Sequence, residues 1–246
     1  MNQIVVTGMV LSTSPVGEYD RRVVILTKER GKIAAFARGA RKPNSPLVGV
    51  VNPCSFGEFT LYAGRTSYTV QSARITNYFA PLREDMAGAY YGFYFLEFTS
   101  FYTKEENDER EMLKLLYQTL RALLNEKIPN RLIRLVFELK ALCISGEGPQ
   151  VFQCVSCGNK ERPAVFSVKR GGLVCEECER NEGDGMKLAS STLYTMRYIV
   201  SSEIGKLYTF VVSDQVLEEL ERVMKRYTEM YVEKRFKSLE ILETLL

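Results

Sequence analysis

Cys154, Cys157, Cys175 and Cys178 make two C-x2-C pairs separated by seventeen residues. Four thiolates suit tetrahedral coordination of a soft-accepting divalent ion, and each C-x2-C knuckle turns two sulfurs toward one centre, so the spacing predicts one bound zinc ion. Four thiolates leave no open coordination position, which argues for a structural zinc rather than a catalytic one. The chain contains no histidine, so no imidazole competes for the site or serves in acid–base chemistry. Between the knuckles, 164–168, the turn Lys169-Arg170-Gly171-Gly172 and Leu173-Val174 read as a hairpin too small to persist without metal, and Gly158 suits a tight turn beside the first pair. Residues 154–180 hold five basic and four acidic side chains. With the −2 charge of a four-thiolate zinc the segment is close to neutral, which is no footprint for a polyanion, although Lys169 and Arg170 could touch a phosphate or a partner.

The second set of residues with chemical potential is basic. Arg21, Arg22, Lys28, Lys32, Arg38, Arg41 and Lys42 fall within twenty-two positions, and residues 1–80 carry ten Lys or Arg against four acids. Folding two strands and a loop onto one face would make a phosphate-binding surface, with affinity that falls as salt rises. A solvated charged face is the other reading of the same residues.

The elements that must hold these groups change character near residue 80. Runs 4–14, 22–27, 32–38, 48–62 and 67–78 are β-branched or aromatic and are separated by turn residues, with Glu29-Arg30-Gly31 as a hairpin turn. Five strands, with Gly8, Gly49 and Gly57 where strands must bend, predict a small closed barrel of the OB type, with an SH3-like barrel as the competitor. From Leu82 the period becomes helical: 84–103, 109–125 and 132–142 predict three helices, Asn130 is an expected N-cap, and Ser213-Asp214 opens a long helix with a Val216, Leu217, Leu220, Val223, Met224, Tyr227, Tyr231 stripe. The class is therefore α+β and multidomain: an N-terminal five-stranded OB-fold β-barrel over 1–80, and an α-helical C-terminal domain over 81–246 interrupted at 151–185 by the four-cysteine zinc subdomain. Asn181-Glu182-Gly183-Asp184-Gly185 would return the chain from that insertion to the helices.

Two further patterns admit a functional and a plain reading. Eight aromatics between Tyr90 and Tyr102 can be read as a base-stacking platform, but they lie in a helical run without Lys or Arg, which favours packing between barrel and helices. Arg134 and Glu138 share a helical face, either as a solvated ion pair or as a site for an acidic peptide. Cys54 and Cys143, alone in apolar stretches, read as core residues of a protein in a reducing compartment. No apolar run reaches the length of a membrane span and the N-terminal residues lack signal-peptide zones, so the expected location is the cytoplasm, without a membrane partner. There is no G-x-x-x-x-G-K-[ST] loop and no G-x-G-x-x-G after a strand, so no enzymatic activity is expected.

Taken together, Thr27-Lys28-Glu29-Arg30-Gly31-Lys32, the stretch Ala37-Arg38-Gly39-Ala40-Arg41-Lys42 with Ser45 and Gly49 after it, the helical domain and the inserted cysteines resemble the RecO family of bacterial DNA-repair and recombination mediators over essentially the whole chain. The resemblance implies an OB-fold protein that binds single- and double-stranded DNA and anneals complementary strands. With RecR it would help load RecA onto DNA coated by single-strand-binding protein, docking the acidic tail of that protein on the helical domain. It also implies association with the nucleoid during repair and no nucleotide hydrolysis. Some members of the family lack the cysteine cluster, which makes zinc a structural option rather than part of annealing. The rival class is a zinc-containing OB-fold interaction protein of the transcription or translation machinery, and a third is an enzyme with a zinc-stapled lid.

Overall fold

Strand β1 (Asn2–Val16) is long enough to serve two partners. Its first half pairs antiparallel with β4 (Phe56–Ala63) and its second half with β2 (Asp20–Thr27), and a bulge between Val10 and Ser12 lets it bend around the barrel. Gly8 sits where the two partners meet, opposite both Thr27 and Gly57; a Cβ on Gly8 would run into the Leu26 carbonyl and one on Gly57 into that of Arg74. β3 (Gly31–Ala37) follows β2 as a hairpin, and β5 (Tyr68–Asn77) pairs with β4. A short parallel contact, Ala35 to Tyr68 and Phe36 to Thr69, closes the circle in the order β1-β2-β3-β5-β4. The structure, a computed structural model, describes residues 2–65, 67–181 and 183–245. Met1 and Glu182, the latter part of the expected polar return, lie outside them.

Alternation fixes which side chains fill the barrel. Val23 and Ile25 on β2, Ile33, Ala35 and Ala37 on β3, and Phe59 and Leu61 on β4 are buried, while Arg22 points the other way. Burying a side chain the size of Phe59 or Ile25 stabilises by about 1.5–3 kcal/mol. The expected strand 48–62 is only half strand. Residues 38–55 instead wind through successive turns, with Ser45 N–H donating to the Lys42 carbonyl and Val48 N–H to that of Ser45. Pro43, Pro46 and Pro53 supply no ladder donors, and Cys54 at φ 69° reverses the chain. Ala40, Leu47 and Val51 from this segment join the barrel core as a plug. Its end is tied to the β1 bulge by hydrogen bonds between Val10 and both Cys54 and Ser55. Gly49 lies in this plug and not at a strand bend.

The chain forms two compact units, Met1–Leu124 with Phe236–Leu246, and Asn125–Arg235. In the first, α1 (Met86–Tyr102) is N-capped by Asp85, whose carboxylate accepts from Ala87 and Gly88 N–H. α1 packs on β1, on α2 (Arg110–Ala122) and, through the Phe98–Phe236 stack, beside α6 (Lys237–Leu245). Tyr91, Tyr94, Phe95 and Phe98 are buried, so the aromatic band is core at the junction of barrel and helices.

The second unit is built on α3 (Asn130–Ile144), α4 (Ser190–Ser201) and α5 (Asp214–Tyr231), with a two-stranded hairpin of β6 (Pro163–Ser167) and β7 (Gly172–Cys175). α5 begins where expected, with Ser213 Oγ accepting from Val216 N–H. Asn130 is the first helical residue of α3 rather than its cap, because Pro129 holds the extended cap position. Arg134 and Glu138 are not a solvated pair. Their side chains are only 12% and 5% exposed, and Glu221 of α5 accepts from both Arg131 and Arg134. The network ties α3 to α5 through Glu221.

Candidate nucleic-acid interface and metal centre

The four thiols converge because each knuckle is a tight backbone turn. Gly158, at φ 75°, donates its N–H to the Cys154 carbonyl, and Cys178 N–H donates to the Cys175 carbonyl. All four sulfurs lie within 4.8 Å of one another, and Cys157 and Cys175 are 3.6 Å apart. Metal–sulfur bonds of about 2.3 Å in a tetrahedron put sulfurs roughly 3.8 Å apart, so this donor set fits a metal ion. Burial works to raise the Cys154 thiol, but backbone donors from Cys157, Cys175 and Ser156 outweigh it and bring it down to about 6. Hydrogen bonds that the Cys178 thiol donates to the neighbouring Cys157 and Cys175 sulfurs push it up to about 12. Without a cation the surroundings thus favour ionisation at Cys154 and oppose it at Cys157 and Cys178; a divalent ion would supply the missing charge.

The hairpin between the knuckles is tied down at its tip. Asp184 accepts from Ser167 Oγ (2.8 Å) and Lys169 N–H (2.9 Å), and Tyr231 Oη donates to the Val168 carbonyl (2.9 Å). Phe166 packs against Tyr227 of α5. Arg170 donates to Ser156 Oγ, which folds one basic side chain of the tip back onto the first knuckle.

The basic residues divide into two groups along the β2–β3 hairpin. Arg21, Arg22, Arg38, Arg41 and Lys42 gather at the end next to the plug, while Lys28 and Lys32 stand at the hairpin turn, roughly 20 Å away at about 3.3 Å per residue. Their surroundings differ in sign. The turn lies on the segment Lys104-Glu105-Glu106-Asn107-Asp108-Glu109: Lys32 N–H donates to the Lys104 carbonyl and Glu106 N–H to that of Arg30. Lys32 Nζ donates to the Ser100 carbonyl in the last turn of α1, where a cation is favoured by the helix dipole. Lys28 is exposed at the start of the same turn, its N–H donating to the Thr7 carbonyl.

At the plug end, Arg22 and Arg38 are exposed and have no ion-pair partner among the described residues. Arg21 is half-buried and donates to Asn52 Oδ1 of the plug (2.9 Å). Arg41 donates to the Gly17 carbonyl (3.1 Å), and Lys42 Nζ lies 5.2 Å from the centroid of the Tyr19 ring. Asp20 accepts from Gly39 N–H (2.7 Å), an acid used to fix the loop. Sequence reasoning passed over Tyr19; the turn Gly17-Glu18-Tyr19-Asp20 carries an aromatic between acids, and its nearness to Lys42 depends on hairpin geometry.

Comparisons with known proteins agree along the whole chain. A profile described as "Recombination protein O N terminal" matches residues 1–79, and one described as "Recombination protein O C terminal" matches residues 83–240. A protein of Acetivibrio thermocellus named "DNA repair protein RecO" is 32% identical over 247 residues, covering 100% of this chain and 98% of that protein. Its namesake from Alkaliphilus metalliredigens is 35% identical over 236 residues, covering 95% and 96%. Another, from Bacillus pumilus, is 31% identical over 224 residues, covering 91% and 87%. No helix among the described residues is long and apolar enough to cross a membrane.

Proposed function

Because this chain belongs to the RecO family of DNA repair proteins, we propose that it is a non-catalytic recombination mediator. It binds single- and double-stranded DNA, anneals complementary strands and, with RecR, promotes RecA loading on DNA coated by single-strand-binding protein. In this reading residues 1–80 are the DNA-binding domain, 81–246 the helical domain that meets the tail of single-strand-binding protein, and 151–185 a metal-stapled insertion. The work is done in the cytoplasm, at the nucleoid during repair.

The observation that supports DNA binding most directly is the basic end of the barrel, where Arg22, Arg38, Arg41 and Lys42 gather, with Glu18 and Asp20 in the adjoining turn. Cations there would neutralise phosphates on two strands and reduce their mutual repulsion, so that base pairing drives annealing. Lys28 and Lys32 remain part of the proposed surface in a lesser role, given the acids beside their turn and the bond from Lys32 to Ser100. For the metal we propose one structural zinc held by Cys154, Cys157, Cys175 and Cys178, which would supply the charge that lets four thiolates coexist.

The test is annealing of complementary oligonucleotides coated with the cognate single-strand-binding protein. Acceleration by this protein, without added nucleotide, supports the mediator reading; no acceleration, or tighter binding to RNA than to DNA, refutes it.

A further inference from the structure

Tyr19 stands at the tip of the β1–β2 hairpin, 47% exposed, where its ring meets the basic end of the barrel; Phe36, cross-strand from Arg22, is a second and less exposed aromatic there. Its backbone is fixed from the plug side. Arg41 N–H donates to the Tyr19 carbonyl (2.9 Å), Arg41 Nη1 to the Gly17 carbonyl, and Gly39 N–H to Asp20. A hairpin tip with a free ring would move, whereas three hydrogen bonds across the ring's own turn hold this one against the loop. The Lys42 ammonium lies 5.2 Å from the ring centroid, within cation–π reach. Phe93 and Phe101 are comparably exposed, at 48% and 41%, but stand on α1, which contains no Lys or Arg.

We infer that Tyr19 is a base-stacking residue for single-stranded DNA, its ring taking one base while Arg41 and Lys42 engage the flanking phosphates. The inference rests on the DNA-binding reading above and names the contact that would separate single strands from duplex. Every base presents a π-face, so such a contact is tolerant of sequence. In a duplex each base is already stacked and paired, and the ring has nothing to take without extruding a nucleotide. The contact therefore holds a strand with its base open and must be surrendered as pairing proceeds, which favours release of the annealed product.

The experiment measures binding of the full-length protein to oligo(dT) and to a duplex of equal length across a salt series, for the wild type, Tyr19→Ala, Tyr19→Phe and Lys42→Gln. Removing one stacked base weakens binding by about tenfold, so Tyr19→Ala should lose about that much on oligo(dT), with unchanged salt slope and unchanged duplex affinity. Tyr19→Phe, which keeps the ring, should restore most of the loss. If Tyr19 only positions Lys42, Tyr19→Ala will weaken single strand and duplex alike and flatten the salt dependence as Lys42→Gln does, which overturns the inference. Undiminished oligo(dT) binding by Tyr19→Ala also overturns it while leaving the DNA-binding reading intact. A wild-type protein that binds neither DNA would overturn both.

Discussion

Replacing Arg38, Arg41 and Lys42 together by Gln isolates the plug end of the barrel from the rest of the basic set. All three side chains are exposed on the outer surface of a segment whose inner side chains, Ala40, Leu47 and Val51, fill the core, so the substitutions leave the barrel core intact while removing the Arg41 bond to Gly17 and the Lys42 contact with Tyr19. For a single strand each phosphate contact adds about 0.7 to the slope of log K against log salt. Three contacts removed should lower that slope by about 2, and at 0.15 M salt they should weaken binding roughly fiftyfold, since each is then worth about 0.6 log unit relative to 1 M. The companion variant, Lys28→Gln with Lys32→Gln, removes two charges of the same sign at the other end. It should leave the slope close to that of the wild type, because Glu105 and Glu106 lie beside that turn. It should instead cost about 1–2 kcal/mol of stability through the bond from Lys32 to the Ser100 carbonyl. Fluorescence anisotropy with labelled oligo(dT) gives the slopes and thermal melts give the stabilities. An unchanged slope in the triple variant, or an equal fall in the double variant, would refute the division of the basic residues into two ends.

Three further outcomes follow from the same structure. Removing the metal with a chelator, or substituting Cys154→Ser, should expose 155–185 to hydrogen exchange and abolish metal stoichiometry while oligo(dT) affinity stays within twofold; metal uptake should also release protons and weaken as pH falls, since Cys178 is held near 12. Gly31→Ala should destabilise by about 1–2 kcal/mol or more, because position 31 is left-handed at φ 63° and a Cβ there meets the Lys104 and Asn107 carbonyls; a melting point unchanged from wild type would contradict this. Burial pushes the Cys54 and Cys143 thiols up to about 11 from an ordinary value of 9.0. Their stabilising effect is thus complete below pH 9 and lost as pH rises toward 11, so denaturant midpoints should fall across that window and fall less in the double Ala variant.

Much of the barrel was readable because β-branched and aromatic runs such as 22–27 and 32–38 are separated by turn residues. The alternation of β3, Ile33, Ala35 and Ala37 inward against Lys32, Ala34 and Phe36, was not, because residues 33–37 are apolar on both faces. The plug escaped because Val48, Val50 and Val51 look like strand residues, and apolar side chains pack into a barrel equally well from a wound loop. Only the prolines and the left-handed Cys54 betray the difference, and a positive φ has no sequence mark at a cysteine. Arg134 and Glu138 looked solvated because their further partner, Glu221, lies 87 residues beyond Arg134 and no local pattern announces it. The separation of Lys28 and Lys32 from the other cations was implicit in the hairpin, since residues near a turn lie far from the strands' other ends. The convergence of the four cysteines, by contrast, was legible, because each knuckle's geometry depends on two cysteines only three residues apart.

Among the described residues the parallel seam between β3 and β5 joins only Ala35 with Tyr68 and Phe36 with Thr69. The β1–β2–β3 meander needs nothing beyond residue 37, and its contacts are local, so it can assemble while the chain is still leaving the ribosome. The circle itself cannot close until residue 69 has emerged, which sets an order of events during synthesis. Until then the β3 edge stays open at the very strand that leads into Arg38, Arg41 and Lys42. Nascent chains stalled before residue 69 would therefore carry the basic loop without a finished barrel beneath it, and the plug residues Leu47 and Val51 would have no core to enter.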